Sequence, residues 1–158
     1  MIFDVISEKF DCWQSGEAIM EGNKVSGSCL CGVVTYQYTG SVNVFQYCHC
    51  SRCRKFTGSA HATNIIINPD QFQWLSGEDS IGRYEYPDAK HFATSFCKNC
   101  GSSLPWLTKS GKAVVVTAGT LDDDPEIKPV HNIFMADKAP WYEEVGDLKK
   151  YAALPVTS

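Results

Sequence analysis

Between Gly32 and Gly40 the chain alternates, with Val34, Tyr36 and Tyr38 on one set of positions and Thr35 and Gln37 on the other. A period of two is that of a strand with one buried face, because successive side chains of extended backbone point to opposite sides. Comparable segments predict strands at 42–46, 63–67, 71–75, 82–86, 91–96, 103–107 and 112–118, with Gly, Pro, Asn and Asp clustered between them. The one helical candidate covers 51–56, with Ser51 as cap and Gly58 as stop. The pattern predicts a mainly β protein built from antiparallel sheets. Residues 1–24 read as an N-terminal extension and 25–158 as one domain. Residues 121–129 read as an acidic loop within it, and no repeat or low-complexity block interrupts the chain.

Composition narrows the choice of class. With 158 residues, 44% of them hydrophobic, the chain suffices for a single core. A formal charge of −4 and a pI near 5.5 lack the basic footprint of a nucleic-acid binder. No apolar run reaches the roughly 18 residues of a membrane span, and Asp4 stands where a signal peptide would carry base. A cytoplasmic protein is expected, with oligomeric state left open.

The eight cysteines then become the main chemical signal. The chain is larger than the domains that need disulfide staples, and thiols in a Cys-x-Cys pair rarely meet disulfide geometry with each other. Cys29-Leu30-Cys31, Cys48-His49-Cys50-Ser51-Arg52-Cys53 and Cys97-Lys98-Asn99-Cys100 are clustered as metal ligands are. A tetrahedral zinc with sulfur at about 2.3 Å needs thiolates within about 4 Å of one another. Extended Cys-x-Cys brings two thiols to one face, and Cys-x-x-Cys brings them together in a turn whose N–H groups face the sulfurs. Gly32 and Gly101 end the first and third clusters with a residue that tolerates positive φ. Cys29, Cys31, Cys97 and Cys100 therefore pair as a closed, structural zinc site.

Cys48, Cys50 and Cys53 supply only three thiolates, which leaves a fourth position for water, substrate, Cys12 or a histidine. An exogenous occupant makes this second zinc a candidate catalytic centre; a protein ligand makes it structural. Arg52, Arg54 and Lys55 lie beside it and offset the thiolates' charge, with Arg54 ahead of Arg52 as a grip for an anionic ligand and Lys55 read as solvated. His49 should face away from the metal, between two ligands on extended chain. His61 and His91 are expected at the surface or satisfied in the core, and His131 as a buried, hydrogen-bonded histidine. Trp106 is expected in the core. The segment from Lys138 through Trp141 and Tyr142 is expected to pack over the sheet as a rigid closing piece, or to line a ligand groove.

Three stretches carry a resemblance: Gly27-Ser28-Cys29-Leu30-Cys31-Gly32-Val33-Val34-Thr35-Tyr36, Cys48-His49-Cys50-Ser51-Arg52-Cys53-Arg54-Lys55-Phe56-Thr57-Gly58, and Phe96-Cys97-Lys98-Asn99-Cys100-Gly101-Ser102. With Gly119-Thr120-Leu121-Asp122-Asp123, His131-Asn132-Ile133-Phe134 and Lys138-Ala139-Pro140-Trp141-Tyr142, they resemble the glutathione-dependent formaldehyde-activating (GFA) family, which includes centromere protein V-type domains. The resemblance implies a β-tent architecture organised around the two cysteine sites and two zinc ions per chain. It implies a carbon–sulfur lyase-type activity joining formaldehyde to glutathione as S-hydroxymethylglutathione, or handling a related thiol adduct. A non-catalytic zinc-stabilised binding module, or a glutathione carrier, is the alternative from a different class.

Overall fold

The computed structural model describes residues 23–144, 146 and 148–153. Cys12 and all but the last two residues of the expected extension lie outside them. Eleven strands are assigned: β1 (Lys24–Ser28), β2 (Thr35–Thr39), β3 (Val44–Cys48), β4 (Ala62–Ile67), β5 (Phe72–Ser76), β6 (Ile81–Glu85), β7 (Ala93–Cys97), β8 (Ser103–Leu104), β9 (Trp106–Leu107), β10 (Val114–Thr117) and β11 (His131–Ile133). Among the described residues a single α-helix, α1 (Ser51–Thr57), follows β3. The strands form a sheet β1-β2-β5, a sheet β11-β3-β4-β10-β9 and a sheet β6-β7-β8. Their pairings are antiparallel except for β11 with β3, which is parallel. The expected antiparallel β class is thus the observed one.

The five-stranded sheet packs one face on the first sheet and turns the other toward the third, and its sequence shows why. Ile65, Ile66 and Ile67 are consecutive and all buried, as are Val114, Val115 and Val116. An unbroken apolar run suits a strand covered on both faces. Ile65, Ile67, Val114 and Val116 pack with Val25, Tyr36 and Tyr38 of the first sheet. Ile66 and Val115 face the other way, toward Ala93 and Trp106. Trp106 is a core residue, as expected.

Several elements depart from the sequence reading. The segment 103–107 is two strands, because Pro105 is fully buried and has no N–H for a ladder. Leu104 pairs with Ser95 in one sheet and Trp106 with Val115 in another, so the chain changes sheets at the proline. Strand β1 was not marked by alternation, since its even positions carry Ser26 and Ser28 around Gly27. Strand β11 is only three residues long and is held by its parallel partner rather than by a local pattern. The cap of α1 is Cys50, whose sulfur accepts from the Cys53 N–H at 3.4 Å, rather than Ser51. Gly58 ends the helix in the left-handed region (φ 62), as its position predicts.

The acidic 121–129 segment is a loop fastened to β1 by its own carboxylates. Asp123 accepts from the Ser26 N–H at 2.8 Å, and Asp122 accepts from the Ser28 hydroxyl at 3.0 Å. No helix among the described residues is long and apolar enough to cross a membrane.

Candidate metal centres

Two cysteine groups converge. The sulfurs of Cys29, Cys31, Cys97 and Cys100 lie within 4.8 Å of one another, and so do those of Cys48, Cys50 and Cys53. The four-cysteine group joins the β1–β2 turn to the end of β7, tying the first sheet to the third. Cys29 and Cys31 converge through a turn rather than through a pleat, for the Gly32 N–H donates to the Cys29 carbonyl at 2.9 Å. Gly32 (φ 73) and Gly101 (φ 76) both use the left-handed region that the spacing assigned them. The Cys29 and Cys31 sulfurs are 3.4 Å apart, and those of Cys31 and Cys97 are 3.9 Å apart. Donors surround them: the Val34 N–H points at Cys29 (3.3 Å) and the Asn99 amide at Cys31 (3.2 Å). The Ser102 hydroxyl and N–H hold the Cys100 thiol down to about 5. Convergent thiols with N–H donors on them are what a thiolate-bound cation requires.

The three-cysteine group is the more enclosed. Cys48, Cys50 and Cys53 are all buried, packed with Ala62 and against Phe92 and Ile133. Cys48 ends β3, Cys50 caps α1 and Cys53 sits in its first turn, so a strand-to-helix junction sets their spacing. Cys50 accepts from the Cys48 and Cys53 thiols and the Cys53 N–H, with the Arg52 charge adding to them, and is held down to about 2. Cys48, as donor to Cys50, is pushed up to about 12, and Cys53 is pushed up as well. A dication bound there would take the negative charge of these sulfurs and spread it over all three. The donor set fits a soft divalent ion such as zinc. No fourth cysteine, histidine or carboxylate joins the group among the described residues.

The neighbouring side chains sort themselves by face. His49 is fully buried and turned away from the sulfurs, as expected, with Nε2 2.9 Å from Asn132 Oδ1 on β11. Its ring packs on His61 (5.1 Å between centroids) and Tyr142 (4.9 Å). Burial and the adjacent His49 keep His61 below its ordinary value. Tyr142 does close over this pair, whereas Trp141 is 69% exposed. His91 is half-buried just ahead of β7. His131 is exposed rather than buried, with Nε2 3.0 Å from Gln46 Oε1, because the edge strand β11 leaves that face to solvent.

The two arginines separate. Arg54 Nε donates to the His49 carbonyl at 3.2 Å and braces the extended Cys48–Cys50 stretch. The Arg52 guanidinium instead lies over the rings of Phe92 (5.5 Å to the centroid) and Tyr86 (5.8 Å). Lys55 is exposed. Phe92 escaped the sequence reading as a site residue, and Asn132 and Ile133 entered it only within the His131-Asn132-Ile133-Phe134 stretch of the resemblance, because nothing local marks a residue that meets the centre from 40 to 80 positions away.

Fold and site define a class: a three-sheet, mainly antiparallel β protein with a four-cysteine and a three-cysteine group, each able to hold a metal ion. Residues 24–137 match the family described as glutathione-dependent formaldehyde-activating enzyme, and the chain belongs to that family. It is similar to an uncharacterized lyase of Schizosaccharomyces pombe, 29% identical over 87 residues, which is 54% of this chain and 59% of the yeast protein. The match thus spans well under two thirds of that relative. A crystal structure of a Rhodobacter sphaeroides protein shares the fold, with a TM-score of 0.52 and 20% identity over 66% of this chain and 97% of that one.

Proposed function

We propose that this chain is a carbon–sulfur lyase-type enzyme of thiol adducts, joining glutathione to formaldehyde and cleaving the product in reverse, at a zinc held by Cys48, Cys50 and Cys53. The observation that carries this reading is the buried three-cysteine group with no fourth residue on it among the described residues. Family membership supplies the thiol and the aldehyde, and the yeast relative's name is that of a lyase. Zinc on three thiolates supplies, when bound, a fourth position at which an incoming thiol is favoured in its thiolate form.

In the forward direction a carbon–sulfur bond forms between the glutathione sulfur and the aldehyde carbon. The carbonyl π pair moves to oxygen, and the proton lost by the thiol ends there as the hydroxyl of S-hydroxymethylglutathione. The chain's own residues arrange the encounter. Phe92 and Ile133 wall the sulfurs and thin the water around them. Arg54 holds the Cys48–Cys50 stretch by the His49 carbonyl, and the His49–Asn132 contact locks that stretch to β11. The four-cysteine group is proposed as a structural zinc site, and the seven unpaired thiols among the described residues suit the reducing cytoplasm.

Exchange spectroscopy by NMR tests the reaction, because it reads formation and cleavage of the adduct against the uncatalysed background. Zinc-loaded protein should accelerate exchange between formaldehyde and S-hydroxymethylglutathione, and Cys50→Ser should abolish the acceleration. Glutathione binding with no change of exchange rate would mark a carrier instead.

A further inference from the structure

We propose that Arg52 selects thiols that carry a carboxylate at the Cys48–Cys50–Cys53 centre; the inference rests on the thiol chemistry proposed there and names its specificity device. Arg52 sits between two of the three cysteines in sequence, on the first turn of α1. Its guanidinium lies over Phe92, and Phe92 itself packs against the three cysteines. Tyr86 takes the same guanidinium at 5.8 Å. The charge is therefore one ring removed from the sulfurs and fixed by two aromatic contacts.

Those contacts leave its hydrogen-bonding capacity unused. An aromatic face attracts the cation but accepts none of the guanidinium's N–H groups in the way an oxygen does. Arg52 Nε is buried and has no hydrogen-bond partner among the described residues. No carboxylate lies within ion-pair distance of it there, although the chain is acidic overall. Arg83 is the contrast, since its Nη2 meets Glu85 at 2.7 Å. Arg54 is also different, because its Nε is already committed to the His49 carbonyl. A planar guanidinium held over two rings, with no oxygen partner among the described residues, is pre-organised for the two oxygens of a carboxylate. A tripeptide places its terminal carboxylates within about 10 Å of a central sulfur at 3.3–3.6 Å per residue, a span that reaches past one aromatic ring. A neutral thiol makes no use of this group.

Calorimetric titration of the zinc-loaded protein with glutathione and with 2-mercaptoethanol separates the possibilities, with metal content measured on each variant. R52M should raise the dissociation constant for glutathione by about 10- to 100-fold, the equivalent of a charge-assisted hydrogen bond, and leave that for 2-mercaptoethanol unchanged. R52K keeps the charge but loses the planar fork, and should recover only a minor part of the loss. If R52M loses metal, R52K alone decides: wild-type selectivity for glutathione in R52K overturns the proposal. Equal losses for both thiols would also overturn it, by reducing Arg52 to a general offset for the thiolates' charge. Failure of the wild-type protein to bind either thiol would instead sink the thiol chemistry itself.

Discussion

Two glycines show how far a single methyl group is constrained by what surrounds it. A Cβ on Gly27 would meet the Tyr36 ring and hydroxyl and lie 2.6 Å from the Thr120 carbonyl oxygen. A Cβ on Gly82 would meet only the ring of Phe96, which is 38% exposed. Backbone and a fully buried tyrosine cannot yield, whereas a surface ring can swing away. Gly27→Ala should therefore cost about 1–3 kcal/mol, the range for overpacking, and Gly82→Ala clearly less. Denaturant titration of the two variants side by side checks the order. Asp123 gives a second residue-scale expectation. The Ser26 hydroxyl and N–H that donate to it hold its carboxyl below the ordinary carboxylate value. A carboxylate whose value is lower folded than unfolded stabilises above its unfolded value, and that contribution is lost as pH falls through the folded one. The melting-temperature gap between wild type and Asp123→Asn should thus be present at pH 6 and shrink as pH drops below about 4.

Among the elements, the strand ends and turns that carry the cysteines do different work. The four-cysteine group ties the β1–β2 turn to β7 across 66 residues, and the Cys97 side chain is fully buried. Cys97→Ser should lower stability by several kcal/mol, because metal-binding energy at such a site is also folding energy. Cys50 belongs to a shorter junction and also caps α1. Serine is a better cap than cysteine, so Cys50→Ser replaces a proposed metal ligand while keeping the helix start. Its melting temperature should fall far less than that of Cys97→Ser, and equal damage in thermal melts would argue against a functional role for the second group.

At the scale of the molecule, two separate groups mean two separate equilibria. Freshly purified protein should hold two zinc ions per chain by elemental analysis, falling to one in Cys50→Ser with the sheets intact by circular dichroism. A brief chelator treatment should reach the same one-zinc state. The fold predicts this order because only the four-cysteine group fastens two sheets together, so its metal leaves with the cost of opening the structure.

What the sequence determined by itself was whatever depends on neighbours a few positions away. Alternation set β2, unbroken apolar runs set β4 and β10, the Cys-x-Cys and Cys-x-x-Cys spacings set the thiol groups, and Gly32, Gly58 and Gly101 marked the left-handed turns, because side-chain period and backbone φ are local properties. Tertiary structure alone decided the rest. Pro105 divides a five-residue apolar segment between two sheets, and nothing before or after it in the chain says which sheets those are. Parallel pairing with β3 brings Asn132 to His49 and Ile133 to the cysteines across more than 80 residues. Arg52 and Arg54 differ by two positions, yet one faces two rings and the other a backbone carbonyl. Their sequence neighbourhood is almost the same, and only the placement of the β6–β7 connection, which carries Tyr86 and Phe92, and of His49 after β3 gives each cation its partner.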